Sequence, residues 1–207
     1  MRESNVSLPR LILIGDRFTD RAVWDAILKV AEEVPWIHLR DHDADAAAFR
    51  SSAEELVERI RMLSPGTMIS INGRLAVAEK LGVHYHVGSR GDSVETARKR
   101  LPIDAVIGFS AHYVTEAQQA IRDGADYVFF SPIFASPSKP GHVGVGLGEL
   151  RTFTERVQDV PVFAVGGITP DRVPLCLEAG AYGVGVLSGI LQKDDPEQAA
   201  IDFLAEL

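Results

Sequence analysis

Apolar and polar positions along the chain follow two alternating periods. Short runs rich in β-branched and aromatic residues recur at LILIG 11–15, WIHLR 36–40, MISIN 68–72, VHYHV 83–87, AVIGF 105–109, DYVFFS 126–131, PVFAVG 161–166 and YGVGVL 182–187. Between them the spacing turns helical. Val23, Ile27, Val30 and Ala31 share one face of 20–34, and Ala53, Leu56, Val57 and Ile60 share one face of 46–63. Segments 115–123, 170–179 and 196–206 read the same way. Strands alternating with helices imply parallel βα units. Eight of them, starting about every 24 residues, match an α/β fold of the closed (β/α)8 barrel type. An open doubly wound sheet is the alternative, but LILIGDRFTD carries Asp16 and Arg17 where a dinucleotide-binding turn needs glycines. No linker, low-complexity segment or longer repeat interrupts the rhythm, so residues 1–207 are read as a single domain.

In such a barrel, chemistry sits on the loops that follow the strands. Those loops carry Gly15 and Asp16; Arg40, Asp41 and His42; Asn72, Gly73 and Arg74; His86, Gly88 and Ser89; and Ser110 and His112. The later ones carry Ser131 and a long stretch to Lys139, then Gly166 and Gly167, then Ser188 and Gly189. Arginine, lysine, serine and paired glycine gathered at one end of the fold point to an anion site. Charge sharpens this reading. Acidic residues outnumber basic ones 29 to 21, for a net charge of −8, with no basic stripe of the kind nucleic acid requires. A bound anion must therefore be held by local donors against an unfavourable global field. With 46% hydrophobic and 24% charged residues, the composition suits a soluble globular protein. No apolar run approaches a membrane span, and MRESNVSLPR lacks the core of a signal peptide, so a cytoplasmic location with no membrane partner is expected. Cys176 stands alone, which excludes an internal disulfide.

Three segments concentrate the chemistry. In AVGGITPDR, 164–172, a strand runs into two glycines, whose missing Cβ atoms would let a ligand approach the backbone N–H groups. Thr169 suits a helix N-cap there and Pro170 the first helical position. In VGVLSGI, 184–190, Ser188 and Gly189 close the next strand. The loops after the seventh and eighth strands of such barrels often bind phosphate. On this reading, Gly167→Val should weaken phosphate binding by filling the ligand's place. The long loop 131–150 offers Ser136, Ser138 and Lys139 as hydroxyl donors and a point charge. Six histidines complete the inventory: His38, His42, His84, His86, His112 and His142. His84 and His86 share a strand face, as do His38 and Arg40. The H-x-H pair does not match the first-strand position that zinc hydrolases use, so no metal is expected from it.

Together these pieces resemble the thiamine phosphate synthase and TenI family of barrels. The resemblance is carried by IHLRD 37–41, INGR 71–74, YHVGS 85–89, IGFSAH 107–112, GADYVFFSPIF with S-x-SK through 139, GVGLGEL 144–150, AVGGITPDR and VGVLSGI. It implies one of two activities. A synthase joins a pyrimidine pyrophosphate to a thiazole phosphate with Mg²⁺. A TenI-type enzyme aromatises a thiazole carboxylate phosphate by moving a proton, without metal. The synthase pattern places metal-binding aspartates where this chain has Gly73 and Gly91, with Asp92 one position late. Restoring carboxylates at both glycines is expected to create metal dependence. The TenI pattern places its proton-shuttling histidine where this chain has Pro132.

The resemblance therefore implies a phosphorylated thiazole-type ligand bound by Arg40, Asn72, Ser110, Ser136, Ser138, Lys139, Gly166, Gly167 and Ser188. It implies TenI-type proton transfer with no cofactor, and His112 ahead of His86 as the base. His38 and His84 are placed deeper along their strands, away from the mouth. Two alternatives stay open: a synthase whose Mg²⁺ site is rearranged around Asp92, and a non-catalytic phosphate-binding or regulatory protein. A homo-oligomer also stays open.

Overall fold

The architecture comes from a computed structural model that describes residues 8–88, 91–136, 141 and 143–207. Eight parallel strands close in sequence order into a barrel: β1 (Leu11–Asp16), β2 (Trp36–Arg40), β3 (Met68–Asn72), β4 (His84–Val87), β5 (Ile107–Ala111), β6 (Tyr127–Phe130), β7 (Val162–Val165) and β8 (Gly183–Val186). Helices α1 (Arg21–Lys29), α2 (Ala46–Leu63), α3 (Leu75–Leu81), α4 (Val94–Arg100), α5 (Val114–Arg122), α6 (Gly146–Arg156), α7 (Val173–Glu178), α8 (Ser188–Leu191) and α9 (Pro196–Ala205) fill the connections and the end of the chain. Closure is visible in the register, where Leu13 pairs with Ile37 of β2 on one side and Val186 of β8 on the other. Arg10 reinforces the seam, donating from Nε to the Tyr182 carbonyl (2.9 Å) and reaching the Leu207 carbonyl. No helix among the described residues is long and apolar enough to cross a membrane.

The strand period of two divides each strand between two cores. On β2, Ile37 and Leu39 face outward into the layer shared with the helices, where Ile27, Phe49, Leu56 and Phe153 are buried. Trp36 faces inward, joining Ile12, Tyr127, Phe129 and Phe163. Inside, the aromatic rings meet edge to face, with centroids 4.9 Å apart for Trp36 and Tyr127 and 5.9 Å for Trp36 and Phe163. Rings this large fit a small barrel only because β5 and β8 contribute glycines. A Cβ at Gly108 would overlap the Tyr127 ring and lie 2.5 Å from His86 Nδ1. The lower barrel is thus packed solid, and the open space lies above it.

Three expectations need correction. The fifth strand begins at Ile107 rather than Ala105, because the Val106 N–H donates to His84 Nδ1 (3.0 Å) and the Ile107 N–H to the Asp126 carboxylate (2.7 Å) before regular pairing starts. Ser110 therefore lies within the strand. The helix expected over 170–179 is a 3₁₀ turn, Pro170–Arg172, followed by α7. Pro174 has no N–H to continue the ladder. Thr169 occupies the cap position without capping: its side chain accepts no backbone bond, and its buried Oγ1 has no partner among the described residues. Elsewhere caps that the sequence reading did not single out fix the loops. Asp20 receives the Ala22 N–H (2.8 Å), and Asp45 those of Ala47 and Ala48 (2.8 and 2.9 Å).

Candidate active site

A cavity of about 230 Å³ opens at the C-terminal ends of the strands. It is lined by every described residue expected there: Arg40, Asn72, His86, Ser110, His112, Ser136, Gly166, Gly167 and Ser188. Ser138, Lys139 and His142 lie outside the described residues, as do Ser89 and Arg90. His38 and His42 also line it. For His38 this revises the expectation that the ring sits too deep, since the stagger of the barrel brings the middle of β2 level with the ends of β4 and β5.

One wall is backbone. Ile133 and Phe134 donate to the carbonyls of Val165 and Gly166 (2.9 and 3.0 Å), fastening the turn after β7 to the segment after β6. Arg172 braces the same turn, donating to the Gly167 carbonyl (2.6 Å) while its guanidinium lies 4.5 Å from the Phe134 ring centroid. Gly166 and Gly167 both have left-handed φ, 100° and 65°. A Cβ on Gly167 would lie 2.5 Å from the Ala135 carbonyl oxygen, and one on Gly166 would lie 2.9 Å from Pro132 Cα. The space these glycines leave is thus filled by protein, and Gly167→Val would first break this clamp. That corrects the expectation that the substitution isolates ligand binding. Among the described residues no backbone carbonyl accepts from the N–H groups of Gly167, Ile168, Ser188 or Gly189, so four donors remain along this wall.

The opposite wall carries side chains. Arg40 donates through Nε to Asp16 (2.8 Å), which aims its guanidinium and leaves further N–H groups for the cavity. Asn72 is buried and sits beneath Gly88, where a Cβ would come within 2.8 Å of Asn72 Oδ1. His112 is exposed at the mouth. Its Nδ1 lies 3.2 Å from the Ser131 carbonyl oxygen, which can only accept. In the neutral ring this contact places the proton on Nδ1 and leaves Nε2 its lone pair. His86 differs in kind. It is buried, with Nδ1 2.9 Å from the Tyr127 hydroxyl and Nε2 2.8 Å from Ser110 Oγ. Burial, helped by the nearby Arg40 charge, pushes it down to about 3. His86 is therefore neutral at neutral pH and reaches the cavity mainly through Ser110. His84 does not line the cavity; burial lowers it, and its Nδ1 serves Val106.

The sequence from Ile12 to Ile190 matches the family model described as thiamine monophosphate synthase. The chain belongs to this family. A thiamine-phosphate synthase of Gloeobacter violaceus is 34% identical over 179 residues, 86% of this chain and 52% of that one, so the chain spans about half the length of that relative. A thiamine-phosphate synthase of Roseiflexus castenholzii is 37% identical over 166 residues, 79% of this chain and 71% of that one. Among solved structures, the fold is shared with a thiamine phosphate pyrophosphorylase from Pyrococcus furiosus, with a TM-score of 0.80 at 24% identity over 95% of this chain and 94% of that one.

The site does not fit the Mg²⁺ of the synthase pattern. Among the described residues no carboxylate lines the cavity, and no three His, Cys, Asp or Glu side chains cluster to hold a metal. Mg²⁺ requires carboxylate oxygens beside substrate phosphates. Asp92 borders a separate recess with Ala46, Gly73, Arg74 and Lys80. Asp41 is committed locally: it receives the Thr19 hydroxyl (2.5 Å) and the N–H groups of Asp43 and Ala44 (3.0 Å each). Burial alone would raise the Asp41 carboxyl, but these hydrogen bonds outweigh it and hold the group below the usual range. Nor is a carboxylate easily placed at either glycine: Gly73 has a left-handed φ of 67°, and Gly91 is crowded. A Cβ on Gly91 would lie 2.8 Å from the Tyr85 hydroxyl and 2.9 Å from Gly73 Cα. An aspartate at Gly91 would press on Tyr85 and the Gly73 backbone, so the paired substitution would disturb these loops as well as supply carboxylates.

Some of the site was missed in the sequence. Ser70, Trp36 and Tyr127 form the floor beneath the cavity and were not singled out. The signal was available in alternate positions: Trp36, His38 and Arg40 on one strand, and Ser70 and Asn72 on the next.

Proposed function

We propose that the protein catalyses metal-free proton transfer on a phosphorylated thiazole, aromatising a thiazole carboxylate phosphate. The observation that carries this reading is the lining of the cavity: backbone donors and Ser188 for a phosphate, four imidazoles, and no carboxylate among the described residues. Moving a proton between two positions of a heterocycle needs a base and an acid near neutral pH, which imidazole supplies. Pyrophosphate departure is helped by a metal held on carboxylates, and none of the described lining residues is a carboxylate. His112 is the base in this reading. Its Nε2 lone pair is available, and its Nδ1 is held by the carbonyl of Ser131. That residue directly precedes Pro132, so the imidazole stands beside the place from which the resemblance lost its histidine. Gly166, Gly167 and Ser188 hold the phosphate; Arg40, Asn72 and Ser110 hold the ring and its carboxylate.

The test is an aromatisation assay of wild type and His112→Gln. Wild type accelerates the reaction over buffer, and the variant loses about 10²-fold in kcat. No acceleration by wild type overturns the reading and leaves a phosphate-binding role. A second reading, thiamine phosphate synthase, is favoured by the names of the relatives and by Pro132-Ile133-Phe134, which resembles the synthase pattern. Mg²⁺-dependent joining of pyrimidine pyrophosphate to thiazole phosphate by the unaltered protein would establish it instead.

A further inference from the structure

We infer that the floor of the cavity is a carboxylate subsite built of two uncharged donors, His38 Nε2–H and Ser110 O–H, each fixed as a donor by a buried hydroxyl beneath it. The inference deepens the proton-transfer reading above and rests on it for the identity of the ligand, while the polarity of the donors rests on interior geometry. Two separate hydrogen-bonded groups lie under the cavity. In one, the Trp36 indole nitrogen and His38 Nδ1 each lie 2.9 Å from Ser70 Oγ. In the other, the Tyr127 hydroxyl lies 2.9 Å from His86 Nδ1, and His86 Nε2 lies 2.8 Å from Ser110 Oγ. His38, His86 and Ser110 border the cavity, whereas Trp36, Ser70 and Tyr127 are fully buried beneath it.

Hydrogen-bond valence sets the direction of each group. The indole can only donate, so it occupies one lone pair of Ser70 Oγ. The Ser70 proton then needs an acceptor, because a buried donor left unpaired bears the full cost of its desolvation. Among the described residues, the other hydrogen-bonded neighbour of Ser70 is His38 Nδ1. Ser70 therefore donates to it, and the neutral ring carries its proton on Nε2, available to the cavity that His38 lines. The second group obeys the same rule. The buried Tyr127 hydroxyl donates to His86 Nδ1, the neutral His86 carries its proton on Nε2, and that proton goes to Ser110 Oγ. Ser110 keeps its own proton for the cavity. Reversing this group would leave the Tyr127 proton buried without an acceptor.

Position and charge then select the ligand group. The His38 and His86 rings meet edge to face with centroids 5.0 Å apart, and Ser110 is bonded to His86, so both donors border one part of the cavity. Burial keeps the rings uncharged, holding His38 well below the usual imidazole range and His86 at about 3. The nearby Arg40 charge acts in the same direction on both. An entering group therefore meets two neutral donors and an attracting cation, which suits a carboxylate and repels an ammonium. His112 has the opposite polarity, with its Nε2 lone pair toward a proton to be removed. When His112 Nε2 takes the proton from a ring carbon that bears the carboxylate, the C–H electron pair spreads onto the carboxylate oxygens, where the two donors stabilise it. The electron pair returns to carbon as His112 delivers the proton to the second position. The His38 and Ser110 protons stay where they began.

Two measurements decide it. The first is ¹⁵N NMR of the resting protein at pH 7, with His38 and His86 assigned by the signals lost in His38→Gln and His86→Gln. Both rings are expected to be neutral and protonated on Nε2. Protonation of either ring on Nδ1, or a charged ring, overturns the proposal whether or not the protein is active. The second compares the Kd of aromatic thiazole carboxylate phosphate with that of the thiazole phosphate lacking the carboxylate. Wild type is expected to favour the carboxylate at least about tenfold. Ser70→Ala removes the hydroxyl that fixes His38 and should cut this preference below about threefold, with the His38 ring released to a mixture of tautomers. Ser70→Thr keeps the hydroxyl and should keep both the preference and the tautomer. If Ser70→Ala does not fold, Ser110→Ala, at the cavity surface, should show the same loss of preference. A tenfold preference retained in the folded variant overturns the subsite, as does its absence in wild type. If wild type shows the preference but does not accelerate aromatisation, the functional reading fails and the subsite stands.

Discussion

An imidazole in water takes up its proton near pH 6.5, but the rings of His38 and His86 sit where that charge would have no solvent. The unfolded chain therefore binds protons below pH 6.5 that the native state refuses. Stability from these two residues is fully present above that pH and declines as pH falls toward the folded value, about 3 for His86. Between pH 7.5 and pH 5, His86 alone should remove about 2 kcal/mol from the free energy of unfolding. His38 adds a loss of the same sign. Urea denaturation at the two pH values checks this, and His86→Gln should flatten the dependence. A midpoint that rises on acidification contradicts it. Thr169 poses the reverse case of a hydroxyl buried without a partner among the described residues. Thr169→Val keeps the shape and removes the unsatisfied group, so it should stabilise by about 1 kcal/mol. A loss of that size in urea denaturation would show that the hydroxyl is satisfied.

At the scale of elements, strand spacing and helical faces made the barrel legible before any coordinate. Eight apolar runs interleaved with amphipathic segments match a closed barrel, with an open doubly wound sheet as the alternative, and the pairing of β1 with β8 decides for closure. What one sequence could not convey was depth. His38 and Arg40 share a face in the sequence, but which of them meets the ligand depends on how far each strand is staggered along the barrel. The same limit hid Ser70 and Tyr127, whose polar atoms read as strand filler until the floor of the cavity brings them to His38 and His86. Interior fit was hidden as well. Gly108 reads as a weak point in a strand, yet it is the space into which Tyr127 fits. Gly108→Ala should therefore destabilise the protein by about 3 kcal/mol or more. It should also disturb the Tyr127–His86 contact, seen as a change in the His86 ring signals. A variant with wild-type stability would mean that the floor is looser than its packing indicates.

For the whole molecule, the decisive contrast is between an acidic chain of net charge −8 and a mouth without a lining carboxylate among the described residues. Asp16 and Asp41 stand at the strand ends, but Asp16 is paired with Arg40 and Asp41 with Thr19 and its own loop, and the described lining of the cavity keeps Arg40, imidazoles and backbone N–H groups. On the proposed function a phosphorylated ligand is then held by local donors, and among the described residues no carboxylate lines the cavity for a divalent cation. Ligand binding should stabilise the native state by about 2.7 kcal/mol at a concentration of 100 Kd. In a chain of this size that corresponds to a rise in Tm of roughly 5–10 °C. Thiazole phosphate, titrated in a thermal-shift experiment, should give this rise equally with and without millimolar Mg²⁺, whereas the unphosphorylated thiazole alcohol should give little. If Mg²⁺ alone raised Tm, or sharpened the phosphate response more than about threefold in apparent Kd, carboxylates from outside the described wall would have to reach the ligand. The synthase reading would then replace proton transfer.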